Sequence, residues 1–340
     1  MMSVGIDSHR DSLAMCVLAE SGAILAEREY PNTPAGHRAL GRFLARYGEK
    51  RRIGIEGSGC FGGAAADHLR GCGEEVCEVP AGRTWRERRH LGRPGKSDAG
   101  DAEAIARVVA SGARLPSVGR PRTAAELKLL CDERDALCEE RTRALNRLHA
   151  LLRRYLPGYR AAVGTLRSGA GRARLARLLD AGDGLWVELA RRHLERITSL
   201  EDECAQLAGQ IEALLEASGS SLREINGIGT LTAARLLAEI GRIERFAGRA
   251  SFAMAAGVAP IPASSGTTRR YRLNRGGNRR LNHALHTIAL VQARHDQRAR
   301  AYLERKRSQG MSRLEAIRCL KRQLANVVYR QMVRDALQGG

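Results

Sequence analysis

Four acidic residues in the first 101 positions have a spacing that suits metal chemistry. Asp7 ends the predicted strand "SVGID", and Glu56 lies near the end of "RRIGIEG". Asp98 and Asp101 are three residues apart in "KSDAGDAEAIARVVASG", and therefore lie on one face of a predicted helix with Ser97 as its N-cap. Since the carboxyl ends of neighbouring strands meet at one edge of a sheet, the four carboxylates can converge.

Such a cluster repels itself unless a divalent cation binds in it. Mg²⁺ prefers hard oxygen ligands, and two ions about 4 Å apart can clamp the attacking and leaving oxygens of a phosphodiester. The alternative is that each acid is simply solvated or, like Asp98, stabilised at a helix start. The glycines around Glu56 in "GIEGSG" favour close approach of a ligand. Asp11 and Glu103 fit the cluster less well, because one lies in a turn and the other rotates away on the helix.

A serine pair, Ser264 and Ser265, lies in the stretch "PIPASSGTTRRYRLNRGGNRR" at residues 260–280. Ser-Ser-Gly after a proline is ordinary turn chemistry. A serine that attacks a phosphate is the other interpretation, because nearby arginines could neutralise that phosphate. These arginines are Arg269, Arg270, Arg272, Arg275, Arg279 and Arg280. Asn278 is the predicted cap of the next helix, and the general base for the serine stays unassigned.

A glycine turn at Gly227 and Gly229 interrupts "INGIGTLTAARLLAEIG". Backbone N–H groups at such a turn before a helix can bind an anion without reading bases, as in a helix-hairpin-helix. An ordinary connection between two helices explains the same pattern equally well.

The charge balance indicates a polyanionic partner. The 340 residues contain 57 Lys and Arg against 37 Asp and Glu, which gives a net charge of +20 and makes nucleic acid the first expectation. No apolar run approaches the roughly 20 residues of a membrane span, and "MMSVGIDSHR" lacks a signal-peptide core, so we expect a cytoplasmic protein with no membrane partner. The eight cysteines never form Cys-x-x-Cys, which predicts buried thiols rather than zinc ligands or disulfides.

Hydrophobic periodicity divides the chain into three predicted regions. Residues 1–115 follow the order βββαβαβα, which predicts a mixed sheet with helices on its faces. Residues 120–218 carry two apolar stripes, one with a seven-residue repeat from Leu130 to Leu151 and one from Ile197 to Leu214, which predict a helical hairpin or coiled-coil connector. Residues 219–340 read as an α-rich domain that contains the glycine turn and the serine pair.

Taken together, these motifs resemble one family, the insertion-sequence one-ten transposases and the related Piv/MooV DNA invertases. "VGIDSHRDSL", "IGIEGSGCFG" and "GKSDAGDAEAIA" are similar to its N-terminal DEDD, RuvC-like domain of RNase H-like fold. "INGIGTLTAARLLAEIG", "RFAGRASFAMAAGVAPIPASSG" and "YRLNRGGNRRLNHAL" are similar to its C-terminal transposase domain. The resemblance covers nearly the whole chain, and the order and spacing of all six motifs make it specific.

The resemblance implies roles for individual residues. Asp7, Glu56, Asp98 and Asp101 would bind Mg²⁺, two ions per site, with Mn²⁺ as a substitute. Ser265 would form a covalent phosphoserine link to DNA, with Ser264 as the other register. The resemblance also implies donor and target DNA, a structured bridge RNA as guide, and a dimer or tetramer in which the serine of one subunit meets the RuvC-like site of another.

Two other functions remain compatible with these residues. An RuvC-like structure-specific nuclease would use the same carboxylates with water and would need no serine. A non-catalytic protein could bind DNA through the helix-hairpin-helix and the basic helices alone.

Overall fold

The computed structural model describes residues 1–47, 50–91, 97–119, 121–263, 271–272, 274 and 276–338. The chain divides into two compact units, Met1–Gly119 and Arg120–Gly340. Within the described ranges, none of the helices has both the length and the apolar character that crossing a bilayer requires.

The first unit is built around a five-stranded sheet. Its elements are β1 (Met2–Ser8), β2 (Ser12–Leu18), β3 (Ile24–Pro31), α1 (Pro34–Leu44), β4 (Arg51–Glu56), α2 (Gly63–Gly71), β5 (Glu75–Glu78), α3 (Ala81–His90) and α4 (Asp98–Ala110). The strand order is β3-β2-β1-β4-β5. β2 is antiparallel to β1 and β3, whereas β1, β4 and β5 are parallel. This is the predicted mixed sheet. β1 lies at its centre, and the carboxyl end of β4 lies beside the carboxyl end of β1.

Small residues let α4 lie close to the central strands. Ala102 and Ala106 are buried in one cluster with Ala14, Cys16 and Leu18 of β2. Other residues of α4, including Ile105 and Val109, belong to a second buried cluster, which they form with residues at the β5 edge of the sheet. The helix is therefore buried on several sides, which fixes the position of its N-terminal turn.

Two predictions about the first unit were wrong. The predicted order βββαβαβα omits α3, because "AGRTWRERRH" contains four arginines and no apolar stripe, and Thr84 is its one buried residue. The expectation of uniformly buried thiols fails at Cys60, which follows β4 in a turn, and at Cys72, which ends α2, since both are exposed.

The second unit is mostly helical over its described residues. Its elements are α5 (Arg122–Tyr155), α6 (Tyr159–Val163), α7 (Gly169–Asp180), α8 (Leu185–Ala217), a 3-10 helix (Ser221–Glu224), α9 (Thr230–Ile240), a 3-10 helix (Ile243–Arg245), α10 (Arg249–Ala255), β6 (Ile261–Pro262), β7 (Tyr271–Arg272), α11 (Arg279–His295), α12 (Gln297–Ser308) and α13 (Arg313–Gln338).

The long helices α5 and α8 pack against each other in antiparallel directions. Cys131 clusters with Ile211, and Leu137 clusters with Leu200 and Cys204 further along. These contacts use the two apolar stripes seen in the sequence. The coiled-coil assignment and the domain limits at 1–115, 120–218 and 219–340 stay predictions.

Candidate active site

Asp7 and Glu56 are direct partners in the parallel pair formed by β1 and β4. Partners in register project to the same side of a sheet, and neighbouring strands lie about 4.8 Å apart. Ser8 ties the two strand ends together, because its Oγ donates a hydrogen bond to the Glu56 carbonyl oxygen at 2.6 Å. Gly57 turns the chain away directly afterwards with a φ of 78°, a conformation that favours glycine.

The N-terminal turn of α4 carries the other two predicted carboxylates. Ser97 is the N-cap, as predicted, and its Oγ accepts a hydrogen bond from the Gly100 N–H at 3.2 Å. Asp98 is about half exposed, whereas Asp101 is buried. The cap therefore fixes where the helix starts and presents both side chains from its first turn.

His9 links the two elements. Its Nε2 lies 3.2 Å from Asp7 Oδ2 and 3.1 Å from Asp98 Oδ1. The potential ligand atoms of Asp7, His9 and Asp98 all lie within 4.8 Å of one another, so this group could hold a metal ion. His9 was not among the predicted site residues. The signal was its spacing of two residues from Asp7, which places both side chains on one side of an extended chain.

The pKa of Asp7 depends on burial and on the charged groups around it. Burial raises the pKa of Asp7 above its ordinary value of 3.8; His9 opposes this rise, and Asp101, Glu56 and Asp98 add to it. Glu56 Oε2 is buried and has no hydrogen-bond partner within the described part of the chain. The carboxylate oxygens are crowded, and one of them is buried without a hydrogen-bond partner among the described residues. Such a set of ligand atoms suits a divalent cation.

Two further charged residues support the site from neighbouring elements. Arg88 of α3 donates from Nη1 to Asp101 Oδ1 at 2.7 Å. Glu78 ends β5 and accepts a hydrogen bond from the Ser58 N–H at 3.1 Å, which holds the turn that follows Glu56. Burial raises the pKa of Glu78, and the Ser58 hydrogen bonds oppose that rise. Neither residue was predicted, because each contact joins elements whose packing the sequence did not reveal.

The serine stretch is described only at its two ends. Ser264, Ser265, Arg269, Arg270 and Arg275 lie outside the described residues. The flanking strands β6 and β7 pair through Ile261 with Arg272 and Pro262 with Tyr271. Arg272, Arg279 and Arg280 are exposed, so three of the six predicted arginines lie at the surface beside this hairpin.

Asn278 caps α11, as predicted. Its Oδ1 accepts hydrogen bonds from the N–H groups of Arg280 and Leu281 at 2.9 and 3.0 Å. Its Nδ2 donates to Oε2 of the buried Glu239 at 2.6 Å, and Glu239 also pairs with Lys128 at 2.9 Å. The start of α11 is therefore anchored to α9 and α5.

The glycine turn has a packing role that the sequence did not predict. A Cβ on Gly227 would lie 3.3 Å from Gln292 Cγ and 3.4 Å from the Ile288 carbonyl oxygen, so this residue faces α11. Gly229 directly precedes α9, and a Cβ there would have no neighbour within 4 Å. The element before the turn is the short 3-10 helix Ser221–Glu224. A helix-hairpin-helix contact with nucleic acid stays a prediction.

Comparison with known families places the carboxylates and the serine stretch in two separate matches. Residues 4–157 match the IS110-type DEDD model described as "Transposase", and residues 219–304 match the model described as "Transposase IS116/IS110/IS902 family". The chain belongs to the IS110 family of transposases. Members of such a family cleave and recombine DNA, so this transposase is an enzyme that acts on DNA.

Relatives of this transposase come from insertion elements. The "Insertion element IS110 uncharacterized 43.6 kDa protein" of Streptomyces coelicolor is 29% identical over 371 residues, covering 94% of this chain and 90% of the relative. The "Insertion element IS900 uncharacterized 42 kDa protein" of Mycobacterium paratuberculosis is 29% identical, covering 78% of each. The "Insertion element IS116 uncharacterized 44.8 kDa protein" of Streptomyces clavuligerus is 28% identical and covers 86% of this chain and 84% of the relative.

The first unit of the transposase is an α/β unit with a five-stranded mixed sheet, and its RuvC-like, RNase H-like fold stays what the family resemblance implies. Two solved structures of Thermus thermophilus RuvC are similar to 35% of the chain at 18% identity. The structure of RuvC in complex with a Holliday junction substrate is covered to 99% with a TM-score of 0.29, and the structure of RuvC itself to 100% with a TM-score of 0.28.

Proposed function

We propose that Asp7, Glu56, Asp98 and Asp101 form the metal site at which this transposase cleaves and rejoins DNA strands. The observation that supports this most directly is the pairing of Asp7 with Glu56 in register, with both aspartates of α4 acting electrostatically on Asp7. The site would hold two Mg²⁺ ions, which Mn²⁺ could replace. Bound metal would supply charge stabilisation to a phosphodiester that undergoes substitution.

The residues of the chain supply the position and the charge of this site. A pair of central strands fixes the positions of Asp7 and Glu56. A capped helix fixes the positions of Asp98 and Asp101. Arg88 partly neutralises Asp101 from outside, and His9 lies between Asp7 and Asp98. Such an arrangement holds anionic ligands together before any substrate arrives, which is the preorganisation that electrostatic catalysis requires.

We further propose that Ser265 is the nucleophile and that the neighbouring arginines bind the phosphate under attack. Arg272 and Arg279 are exposed close to the described ends of this stretch, which supports an anion-binding surface there, whereas the exposed Arg280 already pairs with Asp132 and Glu239. The bond from Ser265 Oγ to phosphorus would form as the bond from phosphorus to the leaving deoxyribose oxygen breaks. The serine hydroxyl would lose its proton to a base that stays unassigned, and the leaving oxygen would take up a proton, so that one phosphodiester replaces another. The bridge RNA and the dimer or tetramer belong to the same proposal.

The carboxylates are tested with isosteric variants in a DNA cleavage assay. Asp7→Asn and Glu56→Gln should each lower the cleavage rate by roughly 100-fold or more, because each removes charge needed in the transition state. DNA binding should remain, and the matched variant Asp11→Asn, which alters an exposed acid next to the site, should cleave normally. Cleavage by Asp7→Asn at the wild-type rate would refute the metal site.

The serine is tested by trapping a covalent protein–DNA adduct on a denaturing gel. Wild type and Ser264→Ala should form the adduct, whereas Ser265→Ala should not. An adduct that requires Ser264 corrects the register, and an adduct that survives both substitutions, made singly and together, rules out this serine pair. Cleavage without any adduct would favour the RuvC-like nuclease, which uses water.

The guide is tested by sequencing RNA that copurifies with the protein. A single structured RNA encoded beside the gene, needed for recombination in a purified system, is the expected result. Recombination by protein that has been freed of RNA would overturn this part of the proposal alone.

A further inference from the structure

The helix α3 presents an aromatic side chain to solvent among arginines. Trp85 is 50% exposed, and Arg86 and Arg89 are exposed beside it. Arg89 lies over the indole, with its Cζ 4.9 Å from the ring centroid. Gly82, one turn earlier on the same side, leaves the neighbouring space open, since a Cβ there would have no neighbour within 4 Å.

The neighbouring face of α3 is turned towards the carboxylates. Thr84 is buried, and Arg88, one turn later, pairs with Asp101. Because Thr84 and Arg88 share one helix face, Trp85 and Arg89 share the face next to it, one residue further round. The exposed ring therefore belongs to a helix that is bonded directly to the candidate active site.

The charges around the exposed ring of Trp85 decide which partner could bind to it. α3 has four arginines and one glutamate, so a second copy of this surface would be repelled. A nucleic-acid strand matches both features, because phosphates pair with guanidinium groups and bases stack on aromatic rings. Bases in a duplex are already stacked on their neighbours, so the ring suits an unpaired base.

We propose that Trp85, Arg86 and Arg89 bind a single-stranded segment of the DNA substrate beside the carboxylate site. The ring of Trp85 stacks on an unpaired base through the face that Arg89 leaves free, while Arg86 and Arg89 contact the flanking phosphates. This inference rests on the proposed function, in which DNA is the substrate and the carboxylates are the site of cleavage. It adds a requirement that the strand be unpaired next to the site of cleavage.

Tryptophan fluorescence tests the proposal, because the chain has only two tryptophans, Trp85 and Trp186. Trp186→Phe leaves Trp85 as the sole reporter, and Trp85→Phe leaves Trp186, which stacks on Tyr155 in α5, as the matched control. The full-length proteins are titrated with one sequence supplied as single-stranded DNA, as duplex DNA and as single-stranded RNA. We expect single-stranded DNA to quench Trp85 more strongly than the duplex does and to leave Trp186 unchanged.

Binding of the same single strand is then compared between wild type and Trp85→Ala. Loss of one stacked base should weaken binding by about 5- to 100-fold, whereas Trp186→Phe should leave it unchanged. Circular dichroism shows whether Trp85→Ala is folded, and Trp85→Tyr, which keeps a ring, should recover part of the affinity.

The outcomes separate this inference from the proposed function. Wild-type protein that binds no DNA at all contradicts both. Protein that binds and cleaves DNA but shows no quenching of Trp85, equal quenching by duplex, or tighter binding of single-stranded RNA than of single-stranded DNA contradicts the stacking surface and leaves the carboxylate site standing.

Discussion

Gly5 of β1 lies directly against Ala102 of α4: a Cβ on Gly5 would stand 2.1 Å from the Ala102 carbonyl oxygen. It would also lie 2.3 Å from the Ala106 backbone nitrogen. No side chain can yield here, because both neighbours are backbone atoms. The contact sets the distance between the strand that carries Asp7 and the helix that carries Asp98 and Asp101.

Gly5→Ala should therefore destabilise the protein and separate α4 from β1. We expect the free energy of unfolding to fall by about 3 kcal/mol, as overpacking against backbone requires. Urea denaturation measures this loss. Gly71→Ala is the control, because a Cβ at Gly71 meets nothing within 4 Å and should change stability by less than about 1 kcal/mol. Equal stability of the two variants would show that the contact does not constrain the fold.

Mg²⁺ should raise the melting temperature of the wild-type protein. A cation that binds only the folded state adds roughly 2.7 kcal/mol at a concentration 100 times its Kd. Asp7→Asn should abolish most of this rise because it removes a buried ligand, whereas Asp11→Asn should keep it. Differential scanning fluorimetry with Mg²⁺ and Mn²⁺ measures the shifts, and identical shifts in all three proteins would place metal binding elsewhere.

In the absence of divalent cations, Asp7 should make the stability depend on pH. Its pKa is raised in the folded protein above 3.8, so the folded state keeps a proton that the unfolded state releases. The contribution of Asp7 to the free energy of unfolding is thus present at low pH and is lost as the pH rises through the raised pKa. Urea denaturation in EDTA should show Asp7→Asn gaining stability over wild type between about pH 4 and neutrality. Parallel curves for the two proteins would contradict the raised pKa.

Removal of Arg88 should lower the stability of the metal-free protein and increase the stabilisation that Mg²⁺ provides. Arg88→Gln leaves the buried Asp101 without its guanidinium partner, which should cost about 1–3 kcal/mol without metal. The same variant should gain more stability from Mg²⁺ than wild type does, because one competing cation is gone. Arg107→Gln, which breaks the pair with Glu103 further along α4, should lower stability without changing the response to Mg²⁺. If Arg88→Gln responds to Mg²⁺ as wild type does, Asp101 is not a ligand.

Asn278→Ala should destabilise the second unit by more than an ordinary cap does. A lost N-cap costs about 1 kcal/mol, and here Glu239 also loses a donor in a buried position, which adds about 1–2 kcal/mol. Ser168→Ala removes the cap of α7 alone and provides the comparison. Chemical denaturation should show a larger loss of unfolding free energy for Asn278→Ala than for Ser168→Ala. Equal losses would mean that the contact with Glu239 contributes nothing.

The sequence predicted those parts of the site that depend on local pattern. Alternating apolar residues located β1 and β4, and a capping serine located the start of α4, so the convergence of Asp7, Glu56, Asp98 and Asp101 could be expected. The helix α3 could not be predicted, because it is held by Thr84 and an ion pair and has no apolar periodicity. The contact of Arg88 with Asp101 and that of His9 with Asp98 depend on how separate elements pack, which no local pattern records.

The described residues on both sides of the serine stretch are fixed by backbone hydrogen bonds. Pro262 is paired with Tyr271, and the chain beyond is tied to α10, since the Asn278 N–H donates to the Ala255 carbonyl oxygen at 2.7 Å. Both flanks of this stretch are therefore held by backbone contacts within the second unit.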